Sequence, residues 1–252
     1  MATTPESFVD ALNSAFGKQT TQRAAHAKGV VLLGKFIPSA EAASVSKALH
    51  FKHEVPVTVR FSANSGIPRI ADADPRAAPR GLAIRFRLPD GSDTDLVTHS
   101  YNGFPAKNPE EFQQFFLALA GSKPGVPSPT PIEAFQETHP AAKTFMTTRD
   151  PPPVSYATTT YFGVNSFKFV TKGAPWRLGA ISCFPTPADI SCRRTTVPSL
   201  VEGRQCQGGD QLSGRRDSPA RCPWSGSIQG GAATRSAGRQ DRRSIGGLGE
   251  HQ

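Results

Sequence analysis

The chain has 252 residues, 37% of them hydrophobic, and 29 Lys and Arg against 20 Asp and Glu, a formal net charge of +9. That length allows one substantial domain or two small ones, and the moderate positive balance favours anionic partners without selecting one. No run of about 18 apolar residues is present to cross a membrane as a helix, and Met1–Ser7 has neither a basic nor a long apolar segment, so the expectation is a cytoplasmic protein.

Composition is uneven along the chain. All four cysteines (Cys183, Cys192, Cys206, Cys222) lie after residue 180, whereas all three tyrosines and fifteen of the sixteen phenylalanines lie before it. The cysteine spacings match no zinc pattern, and the thiols are expected to be free.

In chain order, Thr4-Pro5-Glu6 is a helix start, and Phe8, Leu12 and Phe16 fall on one face before Gly17 ends it. Gly29 to Phe36 reads as a buried strand, and a second helix is expected from Pro38-Ser39 through Leu49. Pro56 to Ser62 alternates, with Val57, Val59 and Phe61 on one face and Thr58, Arg60 and Ser62 on the other. Residues 64–80 form a long loop, of the kind that serves a site or wraps a neighbour.

Gly81–Arg87 and Asp95–Ser100 flank the turn signal Pro89-Asp90-Gly91-Ser92 and form a hairpin. Asn108-Pro109-Glu110-Glu111 caps a helix carrying Phe112, Phe115, Phe116 and Leu119. Shorter helical stretches follow around Ile132–Glu137 and Ala141–Phe145, then two short strands, Thr158–Phe162 and Asn165–Val170. These elements specify an α+β fold built on an antiparallel sheet or barrel.

Past Gly179 the pattern collapses. Residues 181–252 carry ten Arg and no Lys against six acids, large apolar residues become sparse, and Gly, Ser and Gln dominate. Such a segment buries too little surface to offset its ordering entropy and is expected to be disordered. The division is therefore 1–180 as a core and 181–252 as a low-complexity tail, whose abrupt onset is what a shift of reading frame in GC-rich coding DNA produces.

Candidate chemistry centres on Arg23-Ala-Ala-His26-Ala-Lys28-Gly29 at the mouth of the apolar run Val30–Leu33. An imidazole held there beside a guanidinium is expected to have its pKa lowered and to stay neutral near pH 7, as a proton-transfer base must. Four segments together, Arg23–Gly29, Val57–Ser62, Arg80–Phe86 with Asp95-Leu96-Val97, and Pro109–Phe112, resemble the haem catalase superfamily, in particular its catalase-related peroxidase branch.

The resemblance implies a catalase-like antiparallel β-barrel with helices, holding haem b and reducing hydrogen peroxide or an organic peroxide with a small organic electron donor. It implies that His26 is the distal acid–base residue, that Ser62 fixes its ring, that Arg23 and Arg60 pair with haem propionates, and that Phe112 packs on the distal side. His99 aligns where catalases carry a distal asparagine, with Ser100 and Asn102 near it, and loss of that amide donor is expected to favour peroxidase turnover over peroxide dismutation. A structural role for His99, as a polar residue at a strand end, stands beside this one.

The family's axial tyrosine, expected near the C-terminus, has no counterpart, because no tyrosine follows Tyr161. On this reading the barrel is incomplete on its C-terminal side. No specific nucleic acid and no membrane is implied, and the reading leaves a homo-oligomer open. The alternative is a non-catalytic remnant, at most a haem-binding module or a basic protein that holds anions loosely.

Overall fold

The structure, a computed structural model, describes residues 3–148, 150–171, 173, 176–185, 190–196 and 225–231. Its centre is a closed antiparallel barrel of eight strands in sequential order: β1 (Gly29–Pro38), β2 (Val55–Ala63), β3 (Arg80–Arg87), β4 (Asp93–His99), β5 (Tyr161–Phe169), β6 (Arg177–Pro185), β7 (Ile190–Thr196) and β8 (Ser225–Gly231). Alternation sets the inside of the barrel. Val55, Val57, Val59 and Phe61 of β2, Leu82, Ile84 and Phe86 of β3, and Tyr161 of β5 are buried in one apolar core. Their neighbours in sequence point outward.

Helices cover one side. α1 (Pro5–Phe16) and α3 (Pro109–Gly121) pack on each other with α4 (Pro131–Thr138) and α5 (Pro140–Thr147) beside them. Their seam is aromatic, with Phe8, Phe16, Phe115 and Phe116 around Ala11, Leu12 and Ala142. Both long helices are capped as their sequences require: Thr4 Oγ1 accepts from the Ser7 N–H, and Asn108 Oδ1 accepts from the Glu111 N–H at 2.8 Å.

Several elements differ from expectation. The helix expected through Leu49 shrinks to α2 (Ala42–Val45), because the Lys47 N–H bonds to the Val170 carbonyl at 2.7 Å and draws the chain off the helical path before a short 3₁₀ turn at Leu49–Phe51. The two strands expected between Thr158 and Val170 are one strand, β5, whose register with β6 shifts between Gly163 and Phe167. Its entry, Tyr156–Thr158, is 3₁₀.

The larger correction concerns closure. The open C-terminal edge is absent, since β6 runs through residue 180, β7 pairs with β6, and β8 joins β7 to β1 from Leu33↔Gly231 to Pro38↔Gly226. Composition gave no sign of β7 and β8 because strand pairing is made by backbone groups that every non-proline residue carries. The remainder of the expected tail, 186–189, 197–224 and 232–252, lies outside the described residues, and with it Cys206 and Cys222. The free-thiol expectation fails for Cys183, which is disulfide-bonded and stands opposite Cys192 in the β6–β7 register.

Candidate functional site

The outer face of β1–β4 carries the candidate residues in two rungs. Antiparallel register puts Gly29, Ser62, Gly81 and His99 side by side, with Val31, Arg60, Ala83 and Val97 in the next rung. Residues directly opposite across an antiparallel pair share a face. Because Val59 and Phe61 point into the core, Arg60 and Ser62 face out, as their alternation predicts.

The loop carrying His26 lies between this sheet face and the helices. Ala24 and Ala25 pack on the helical cluster, and the loop is tied to the segment after β2 by His26 N–H to the Asn64 carbonyl at 3.3 Å and Ala27 N–H to the Ser65 carbonyl at 3.1 Å. His26 has φ +53°, the left-handed region that non-glycine residues enter only when their surroundings hold them there. Arg60 supplies part of that hold, donating from Nη2 to the His26 carbonyl at 2.7 Å.

Two glycines make the packing feasible. A Cβ on Gly29 would lie 2.8 Å from Arg60 Nη2, and a Cβ on Gly81 would lie 2.7 Å from Ser62 Oγ and 3.1 Å from the His26 ring. Gly81 thus leaves the space in which the imidazole meets the serine, and His26 Nδ1 stands 3.0 Å from Ser62 Oγ. With Nδ1 engaged, Nε2 makes no hydrogen bond among the described residues.

Burial, then the Arg60 guanidinium, then His99 and Arg23, lower the His26 pKa from 6.5 to about 4, so the ring is neutral at pH 7. If Nδ1–H donates to Ser62 Oγ, the Nε2 lone pair is free to take a proton. Arg60 is itself opposed by burial and by the nearby Arg23, and neither guanidinium makes an ion pair with an acid among the described residues. Two converging cations without a carboxylate between them form a place for one.

Beside them the sheet exposes apolar surface: Val31 is 50% and Val97 64% exposed. Large aliphatic side chains left open on the rung that carries Arg60, with a neutral imidazole on the adjacent rung, suit a flat apolar ligand with acidic edges.

Each expected site residue can now be placed. His26, Ser62, Arg60 and His99 converge on the outer sheet face. Arg23 lies exposed near Arg60, close enough for their charges to oppose each other. Phe112 sits one ring back in the helical core, 5.5 Å from Phe8 and 4.8 Å from Phe116, and Phe104 stands between it and His99, at 4.7 and 6.2 Å respectively. Sequence reasoning missed Phe104 and the packing roles of Gly29 and Gly81. Both glycines lay inside quoted motifs, but a glycine's contacts emerge only when two strands and a loop are brought together.

Among the described residues no three His, Cys, Asp or Glu side chains are grouped to hold a metal ion. Tyr161 is fully buried in the barrel, donates its hydroxyl to the Tyr156 carbonyl at 2.7 Å, and is kept protonated by burial. Burial raises the Tyr156 pKa as well, and Tyr101 stacks on His99. Neither Tyr156 nor Tyr161 is presented as a phenolate.

Comparison with known proteins bears on this arrangement. The family model described as Catalase matches residues 6–184. The chain is 33% identical over 180 residues to a catalase-related peroxidase of Synechococcus elongatus, covering 69% of this chain and 52% of that protein. It is also 33% identical over 190 residues to a catalase-related peroxidase of Mycolicibacterium paratuberculosis, covering 74% and 59%. The chain therefore spans little more than half the length of these relatives. A crystal structure of a fungal catalase superposes with a TM-score of 0.56 at 21% identity, over 66% of this chain and 34% of that one, a likeness of fold. On the match over residues 6–184 and the two relatives, the chain belongs to the catalase family and is similar to its catalase-related peroxidases.

Proposed function

We propose that the outer face of the barrel binds haem b and supports the reduction of hydrogen peroxide or an organic peroxide by a small organic electron donor. The observation that carries this reading is the neutral His26 ring, locked in the left-handed region with Nδ1 on Ser62 and Nε2 unengaged. The unpaired Arg23 and Arg60 would hold the propionates, and Val31 and Val97 would meet the apolar macrocycle. When bound, haem supplies the redox chemistry. His26 Nε2 receives the proton released by the peroxide and can return it to the departing oxygen, while Ser62 keeps the ring plane and Arg60 keeps the loop.

These residues fit one face of the group. The sequence supports a second reading, in which haem would bind without turnover, because no tyrosine follows Tyr161.

Haemin titration followed in the Soret region tests the first claim, and peroxide-dependent oxidation of a phenol tests the second. His26→Ala should lower the rate about 10²–10⁴-fold, the worth of a positioned acid–base group. An unchanged rate removes the role given to His26. A saturable Soret band without any peroxide-dependent turnover selects the second reading.

A further inference from the structure

Arg80 opens β3, one residue before the glycine that makes room for the His26 ring. Alternation turns its side chain the other way, toward the barrel's inner face with Leu82 and Ile84, and it is 5% exposed. Among the described residues it is the only Asp, Glu, Lys or Arg that is buried. Its guanidinium lies 5.8 Å from the centre of the Tyr156 ring, which is itself stacked on Phe61 of the core. No acid forms an ion pair with it among the described residues.

Burying a guanidinium is costly, and an apolar side chain would fill the same volume with a smaller desolvation penalty. What the guanidinium adds is directed hydrogen bonding. Both terminal nitrogens donate to carbonyls of the 64–80 loop, Nη1 to Ala77 at 2.8 Å and Nη2 to Asp72. The Ala77 carbonyl also accepts from the Asn64 N–H at 3.2 Å, and the Asn64 carbonyl is the acceptor for the His26 N–H. Arg80 is anchored in turn by Ser100, whose Oγ accepts the Arg80 N–H at 2.9 Å and whose N–H donates to the Arg80 carbonyl at 2.8 Å.

An unbroken line of hydrogen bonds therefore runs from a buried cation to His26, the one non-glycine residue with positive φ among the described residues. Arg60 holds the carbonyl of that residue, and this line holds its N–H. A second tie between the same segments runs from Lys28 Nζ to the Ile70 carbonyl at 2.8 Å and to Asp72 Oδ1 at 2.9 Å. It is open to water, with the Asp72 side chain 66% exposed, where an ion pair contributes little.

We propose that Arg80 is a positioning residue, which from inside the barrel fixes the 64–80 loop at Asp72 and Ala77 and through Asn64 holds the His26 backbone in its left-handed conformation. Its side chain lies across the sheet from the outer face, so it acts through His26 and not on a ligand. For the proton transfer given to His26 this deepens the proposed function and rests on it. The hold on the backbone itself needs no haem.

The experiment uses the full chain, first without haemin, as Arg80→Lys and Arg80→Met. Lysine keeps the charge but replaces the planar fork with a single ammonium, and methionine keeps only an apolar stem. A left-handed backbone brings the amide and α protons of a residue close together, so NMR of the parent should show a strong intraresidue HN–Hα NOE at His26, weakened in both variants. Amide exchange at Asn64 and His26 should quicken about tenfold or more, as loss of a charge-assisted hydrogen bond allows, while the β2–β3 ladder keeps its protection.

An undiminished NOE with unchanged exchange in Arg80→Lys overturns the proposal. So does exchange that quickens equally across the barrel, the mark of a residue that merely stabilises the fold. If Arg80→Met does not fold, Arg80→Lys decides alone. With haemin, Arg80→Lys should lower peroxide-dependent turnover about tenfold or more and keep haemin affinity within about threefold, and an equal loss of both would overturn action through His26. A parent that takes up no haemin strikes the proposed function, and the haemin-free readings still decide whether Arg80 holds His26.

Discussion

Gly81→Ala tests how the site is built. The added methyl would lie 2.7 Å from Ser62 Oγ and 3.1 Å from the His26 Cε1 and Nδ1 atoms. Ser62 is 4% exposed and its hydroxyl faces the imidazole, so it has little room to swing away without breaking that contact. Overpacking of this kind costs about 1–3 kcal/mol, with about 1 kcal/mol more for the lost hydrogen bond. The ring is the freer partner because its loop lies above the sheet, so the strain is expected to expel it toward solvent. His26 then loses the burial that holds its pKa near 4 and should titrate closer to 6.5.

The assay is a ¹H–¹³C NMR titration of the His26 Cε1–H from pH 8 to 3.5, with His99 as an internal reference. A variant that melts several degrees lower while His26 still titrates near 4 would refute this account. The methyl would then have been absorbed by the barrel rather than by the site.

Other outcomes follow from the same geometry. His50 is enclosed by Phe36, Phe51 and Phe86, and burial lowers its pKa from 6.5 to about 4. Its folded pKa is depressed, so the stability linked to it is fully present above 6.5 and is lost as pH falls toward 4. Urea unfolding at pH 7 and 4.5 should therefore show His50→Phe losing about 2 kcal/mol less than the parent between these pH values, and equal losses would contradict the assignment. Arg60→Ala removes the clamp on the His26 carbonyl as well as a cation, so it should loosen the loop to amide hydrogen exchange even without haemin; unchanged protection would leave Arg60 with the ligand alone. Truncation after residue 180 should yield an aggregating protein, because it removes most of β6 and all of β7 and β8 and bares the edges of β1 and β5. A soluble, cooperatively folded 1–180 fragment would contradict the closed barrel.

The barrel's first half was legible in the sequence for a physical reason. Val57, Val59 and Phe61 alternate against Thr58, Arg60 and Ser62, and Pro89-Asp90-Gly91-Ser92 breaks the chain between β3 and β4, so periodicity and turn chemistry agree there. The second half was not, because β7 and β8 join the sheet through backbone groups in segments of Ser, Arg, Thr and Gly that carry no apolar period. At the site, residue types and spacing pointed to His26, and the resemblance to catalases pointed to Arg60 and Ser62. Neither the left-handed backbone of His26 nor the bond from Arg60 to its carbonyl could be read from spacing, since both depend on the loop being pinned at Asn64 and Ser65. The placement of Phe104 before Phe112 is likewise a matter of how the loop after β4 folds against α3.

The central claim is that the outer face of β1–β4 is one wall of a haem pocket, and haemin titration of the full chain is its most direct measurement. The account predicts a saturable Soret band at one haemin per chain, weakened in Arg60→Ala and altered in position or intensity in His26→Ala. A band that never saturates, or one indifferent to both substitutions, would contradict it.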